Sequence, residues 1–114
     1  MAGTDGPVPD AAVEAALRDL PGWKLRDGLV TVYKCSTAAN ALALIAEIGR
    51  IAEEQNHHPD LQWRYNRVFL RYVSHDAGGE LTQRDLDAAA SVSEAASALG
   101  AVAEPGRYPG AEGS

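Results

Sequence analysis

An α+β domain is predicted, an antiparallel sheet of about four strands with about three helices packed on one face, in the order α-β-β-α-β-β-α. Three observations predict it. Apolar residues recur at helical spacing in three separate runs, each beginning near a residue able to cap a helix. Between the runs lie two pairs of short alternating segments with turn residues at their joints. Each pair gathers its apolar side chains on one side, so a single layer of helices suffices to bury them.

Residues 1–9 are rich in Gly and Pro and read as a flexible N-terminal segment. From Asp10, read as the capping residue, Val13, Leu17 and Leu20 form a helical stripe that Pro21-Gly22 stops. Asp27-Gly28 is a two-residue hairpin signal between WKLR and LVTVYK. In that register Trp23 faces Val32 and Leu25 faces Val30. Ser36 or Thr37 caps a long second helix carrying Leu42, Ile45, Ile48, Ile51 and Ala52. It ends near Asn56, a residue tolerant of the left-handed conformation that closes helices. Pro59 then biases His58 toward extended backbone.

With Asn66-Arg67 as the turn of the second hairpin, Leu61 opposes Tyr72, Trp63 opposes Leu70 and Tyr65 opposes Val68. The same register brings His58 opposite His75 at the open end, with Cβ atoms roughly 5 Å apart. Thr82 and Asp85 make a capping-box-like start to a third helix, with Leu81 and Leu86 placed as a hydrophobic staple. Leu86, Ala89, Val92, Ala96 and Leu99 continue it. The domain is read as residues 10–103, and residues 104–114 as a flexible C-terminal tail.

A chain of 114 residues with 46% hydrophobic content fits one domain with a modest core, which subunit association would extend. The formal net charge of −6 argues against nucleic-acid binding, which needs a basic surface to displace counterions. Cys35 is the single cysteine, so no intrachain disulfide forms, and a reducing cytoplasm suits it. No apolar run approaches the roughly 20 residues of a membrane span, and MAGTDGPVPD lacks the regions of a signal peptide.

The three histidines, His57, His58 and His75, fall in one segment beside a carboxylate, as Glu53-x-x-x-His57-His58-Pro59 followed by His75. Imidazole is the one side chain whose unperturbed pKa, about 6.5, lies in the physiological window. The grouping therefore points to proton transfer at a shared corner, with Glu53 four residues before His57 on the same side of the last helical turn. A metal is the rival reading, since His and Glu also suit zinc. Adjacent histidines on an extended chain point to opposite sides, and neither a His-Glu-x-x-His helix nor a cysteine pair occurs. The residues therefore favour acid–base chemistry over a metal site. Asp85 is accounted for by its capping role.

The stretch EEQNHHPDLQWRYNRVFLRYVSHDAGGELTQRD resembles pterin-4a-carbinolamine dehydratase. The pattern of an acidic residue, three positions, His-His-Pro, an aromatic, a later His and an Asp is matched by Glu53, His57, His58, Pro59, Tyr65, His75 and Asp85. LPGWKL, with Trp23, is similar to the family's first strand, so the resemblance spans roughly residues 10–100.

The resemblance implies loss of water from a 4a-hydroxytetrahydropterin, giving a quinonoid dihydropterin, in the recycling of pterin for aromatic amino acid hydroxylases. It implies no cofactor and a homodimer or homotetramer. His57 and His75 would make the proton transfers, Glu53 would support His57, and His58 would bind the ring and assist catalysis. Asn56, His57, His58, Pro59, Val73, Ser74, His75 and Asp76 would line the substrate pocket, with Trp23 and Asp85 beside them. Which histidine is acid and which is base stays open.

Two positions depart from the pattern. Glu80 reads as a one-residue insertion that bears on where Asp85 falls, and Ala77 stands where some animal members have cysteine. The same fold also serves as a dimerisation cofactor of an animal transcription factor and as carboxylase assembly factors, so a non-catalytic binding role is the alternative. Such a role would not need three histidines and Glu53 together.

Overall fold

The order of elements is the one the sequence predicts. The computed structural model describes residues 6–74 and 80–109. Helix α1 (Asp10–Arg18) leads into strands β1 (Lys24–Leu25) and β2 (Leu29–Lys34). Helix α2 (Ala38–Gln55) is followed by β3 (Asp60–Arg64), β4 (Arg67–Tyr72) and helix α3 (Gln83–Ala98), and a short β5 (Val102–Ala103) closes the sheet. All strand pairs are antiparallel, in the order β1-β2-β4-β3, and β5 shares the outer edge of β2 with β1.

Period-two alternation decides the faces of the sheet. Leu29 and Tyr33 of β2 and Val68, Leu70 and Tyr72 of β4 enter the main core. There they meet Ala41, Leu44, Ile48 and Ile51 of α2 and Leu86, Ala88, Ala89 and Val92 of α3. Val30, Val32 and Phe69, on the other face, are buried as well. The reason is the segment after β5. Glu104 N–H donates to Val32 O at 2.6 Å, Glu104 pairs with Arg67 and Arg107, and Tyr108 lies over Phe69 at 6.4 Å. At the other end Val8 N–H donates to Leu81 O at 2.8 Å. Residues 6–9 and 104–109, read as loose from composition, therefore bond to the body on either side of the 10–103 boundary. A 3₁₀ turn over Pro105–Arg107 lies within the second of these segments.

Both hairpins differ in register from expectation. In the first, Lys24 pairs with Val30 and Leu25 with Leu29, leaving a three-residue loop, Arg26-Asp27-Gly28. Asp27 (φ 48°) and Gly28 (φ 118°) are left-handed, and Arg71 donates to Asp27 O at 2.6 Å. A Cβ at Gly28 would meet Tyr72 O at 3.0 Å, so glycine is required there. The slip of one residue leaves Leu25 52% exposed, while Trp23 turns into the core.

In the second hairpin Leu61 pairs with Leu70 and Trp63 with Val68, because the turn is Tyr65-Asn66 and not Asn66-Arg67. Tyr65 takes φ 54°. Asn66 is tied to the end of β2, its Nδ2 donating to Cys35 O and its carbonyl accepting from Cys35 N–H, both at 2.8 Å. A displacement of two positions preserves which side chains share a face. Its effect falls at the open end, where the ladder stops at Asp60–Arg71. Continued further, that register would bring His58 level with Val73. The expected opposition of His58 and His75 is not formed by this ladder, and His75 lies outside the described residues.

Smaller corrections concern the helices. Pro9, not Asp10, is the N-cap of α1, and Asp10 instead sets its carboxylate in the first turn. Leu42 is exposed, and the buried stripe of α2 is Ala41, Leu44, Ile48, Ile51 and Ala52, one step of about 100° away. Thr37 caps that helix, accepting from Asn40 N–H at 3.0 Å.

Candidate active site

Three chain ends meet behind β4: the C-terminus of α2, the exit of β4 and the N-terminus of α3. Helix α2 closes where Asn56 adopts the left-handed conformation (φ 50°, ψ 45°). Its N–H and that of His57 turn back to Glu53 O (3.4 Å) and Ala52 O (3.1 Å). This paired closure satisfies two terminal carbonyls and sets the direction in which His57 leaves the helix.

His57 departs from the helical path at that point, so Glu53 does not reach it. The pairing expected from the four-residue spacing is overturned, because the spacing holds only while the helix continues. Glu53 Oε2 instead meets His58 Nε2 at 2.7 Å, with side chains 79% and 57% exposed. Such a pair contributes little to stability.

His57 is buried and its partner is Asp85, with Nε2 2.6 Å from Oδ1. Asp85 is fully buried at the third position of α3. Its Oδ2 accepts from Thr82 N–H at 2.9 Å and from Ser74 O–H at 2.8 Å, and Ser74 Oγ lies 2.8 Å from Thr82 Oγ1. A buried carboxylate is tolerable only when fully hydrogen-bonded, and a helix N-terminus favours it further. The capping box expected at Thr82 and Asp85 thus has a second use: the oxygen left over from capping holds an imidazole. The apparent insertion at Glu80 does not prevent this contact.

With Asp85 accepting, Nε2 carries the proton, an assignment made from the hydrogen-bond network. Nδ1 then presents a lone pair, and it has no partner among the described residues. An Asp–His pair of this kind fixes the tautomer, as in serine hydrolases.

Tyr72 stacks on His57, with centroids 5.7 Å apart and planes at 24°. The Tyr72 hydroxyl is buried without a hydrogen-bond partner among the described residues. Burial, and after it the charge of Asp85, pushes its pKa up to about 12. Trp23 lies behind Tyr72 at 6.0 Å, only 4% exposed, its Nε1–H donating to Ser93 Oγ at 2.8 Å. It is therefore a core residue that backs the site and has no face for a substrate.

Val73 and Ser74 are also buried, and the Ser74 hydroxyl is committed to Asp85. Pro59 precedes β3 and leaves His58 on the surface. His75 and Asp76 lie outside the described residues. Sequence reasoning missed Tyr72 and Thr82 as members of the site. Tyr72 is recognisable afterwards as the last residue of β4, on the face that looks toward the helices.

A cleft of about 470 Å³ lies elsewhere, between Val8, Val13, Leu25 and Leu81, with Asp10, Glu14 and Glu80 at its rim. It has carboxylates but no imidazole among its lining residues. No helix among the described residues is long and apolar enough to cross a membrane.

Residues 6–95 match the model of the family described as pterin 4 alpha carbinolamine dehydratase. The chain belongs to this family. Two relatives, provisionally named pterin-4-alpha-carbinolamine dehydratases, illustrate the likeness. The protein of Thermomicrobium roseum is 40% identical over 91 residues, covering 79% of this chain and 97% of that one. The protein of Acidobacterium capsulatum is 46% identical over 82 residues, covering 71% and 88%. The crystal structure described as a transcriptional coactivator/pterin dehydratase from Brucella melitensis superposes with a TM-score of 0.74 at 26% identity. It covers 79% of this chain and 98% of its own. Membership in the carbinolamine dehydratase family makes this an enzyme of the dehydratase class, a carbon–oxygen lyase.

Proposed function

We propose that the chain dehydrates 4a-hydroxytetrahydropterin by histidine acid–base catalysis. The observation that carries the reading is the buried His57–Asp85 pair, formed by two residues of the family pattern and leaving one imidazole nitrogen for a substrate. In the reaction the C4a–O bond breaks, the departing hydroxyl takes up a proton and leaves as water, and N5 gives up a proton. The product is a quinonoid dihydropterin. His57 and His75 share these two transfers, the part of His75 resting on its place in the motif. General acid–base assistance of this kind supplies roughly 10²–10⁴-fold.

Asp85 serves as a positioning residue for His57, since full burial keeps it from the substrate. The exposed His58–Glu53 pair stands at the rim, where His58 meets the pterin ring. Asn56, His57 and His58 line the pocket, and Val73, Ser74, His75 and Asp76 are assigned to it by their place in the family pattern. Neither metal nor organic cofactor takes part. The reaction belongs in the recycling of pterin for an aromatic amino acid hydroxylase, in the cytoplasm, where buried Cys35 stays reduced.

A homo-oligomer fits the edge of the sheet. Strand β3 pairs only with β4 among the described residues, and Trp63 (47% exposed) and Tyr65 (75%) stand beside its open edge. An apolar open edge is a template for pairing with a second copy.

The test is stopped-flow absorbance of chemically generated 4a-hydroxytetrahydropterin in chelator-treated buffer. Acceleration by the wild-type chain, reduced at least about 10²-fold in His57→Ala and His75→Ala, is the expected result. Folded protein that gives no acceleration would shift the reading to a binding role.

A further inference from the structure

A hydrogen bond from Nε2 to Asp85 fixes one point of the His57 ring, not its plane. Rotation about χ2 of histidine is broad and weakly restrained. The Cβ–Cγ axis passes closer to Nε2 than to Nδ1, so turning the ring carries Nδ1 further than it disturbs the bonded nitrogen. An Asp–His pair alone therefore leaves the free nitrogen poorly aimed, and acid–base catalysis depends on that aim.

The missing constraint is a flat surface stacked against the imidazole, and Tyr72 supplies it at 5.7 Å with the planes inclined by 24°. The surface is itself immobile. Tyr72 is fully buried, pairs with Leu29 across the sheet, and leans on Trp23, which is anchored to Ser93. We propose that Tyr72 is a positioning residue whose ring sets the plane of the His57 imidazole and so aims Nδ1 at the pterin. The substrate named here rests on the dehydratase reading, whereas the ring geometry does not. The ring carries the function. The hydroxyl, without a partner among the described residues, adds nothing to the platform.

Tyr72→Leu removes the flat face, and Tyr72→Phe keeps it. Two readouts are taken on the intact chain: steady-state dehydration kinetics, and the ¹⁵N resonances of the His57 imidazole. In Tyr72→Leu, kcat should fall on the order of 10- to 100-fold with KM changed less than about twofold. With the Asp85 bond retained, Nε2 should stay protonated while the Nδ1 resonance shifts and broadens as the ring plane loosens. Tyr72→Phe should restore both readouts. Should the leucine variant fail to fold, Tyr72→Met, unbranched at Cγ and also without a flat face, takes its place.

A leucine or methionine variant with wild-type kcat and a wild-type imidazole pattern overturns the proposal, as does a folded phenylalanine variant that restores neither. If the wild-type chain itself fails to dehydrate the pterin, the dehydratase reading falls. The imidazole resonances still decide the positioning role on their own.

Discussion

Asp85 Oδ1 lies 2.6 Å from His57 Nε2 across 28 residues of sequence, and Oδ2 of the same carboxylate caps the helix that carries it. One side chain therefore holds the start of α3 and one nitrogen of the imidazole at the end of α2. The architecture of the site reduces to that double use.

Asp85→Asn should separate the two tasks. The amide oxygen can still accept from Thr82 N–H, but the amide nitrogen would face His57 and demand an acceptor at Nε2. The proton would move to Nδ1, the nitrogen proposed to face substrate. Turnover is expected to fall about 10²–10⁴-fold, the scale of losing correct general acid–base protonation, with loss of stability near 1 kcal/mol from the altered cap. A folded variant within a few-fold of wild type would refute the role given to Asp85.

Asn56 should be replaceable by glycine but not by alanine. Its φ of 50° lies where a Cβ costs about 1–2 kcal/mol, a cost glycine escapes. Asn56→Ala is therefore expected to lower stability by about 1 kcal/mol and to reduce kcat, because His57 takes its exit direction from this residue. Chemical denaturation of the two variants checks the first effect. Equal stability for Ala and Gly would contradict it.

Alkaline unfolding should report Tyr72. Its folded-state pKa of about 12 exceeds the ordinary value of 10, so the folded chain holds this proton more tightly than the unfolded one. The contribution is fully present below pH 10 and is lost as pH rises from 10 to 12. Tyr72→Phe is expected to flatten that part of the stability curve. Tyr33 and Tyr108, also raised chiefly by burial, keep a residual slope. Near neutrality the same variant should be more stable by about 1 kcal/mol, because a buried hydroxyl without a partner among the described residues is removed. An unchanged slope between pH 10 and 12 would show that Tyr72 titrates as it does in the unfolded chain.

Trp63→Lys should weaken self-association. Charge on an open strand edge opposes pairing with another chain, and this side chain is already half-exposed. Sedimentation velocity is expected to show a shift toward monomer with the far-ultraviolet circular dichroism preserved. An oligomer identical to wild type would move the interface away from β3.

Much of this protein was legible before any coordinates. Helical and strand periods are local properties, so three helices and two hairpins could be read in order, with Thr37, Asn56, Thr82 and Asp85 at helix ends. The motif around Glu53, His57, His58, His75 and Asp85 likewise identified the family, because its spacings lie along the chain.

Tertiary structure decided registers and partners. Asn66 places the second turn by bonding to Cys35, and Arg71 grips the carbonyl of Asp27; neither partner is near in sequence. Glu53 lost His57 because Asn56 ended the helix one residue too early for the four-residue rule. The buried oxygen of Asp85, the flat face of Tyr72 and the free nitrogen of His57 then converged because β4 lies between the ends of α2 and α3. Sequence by itself determined which elements form and to which family the chain belongs, since these follow from local period and from spacings along the chain. Which carboxylate holds which imidazole was settled only by packing, where the burial of Asp85 required a donor for each of its oxygens.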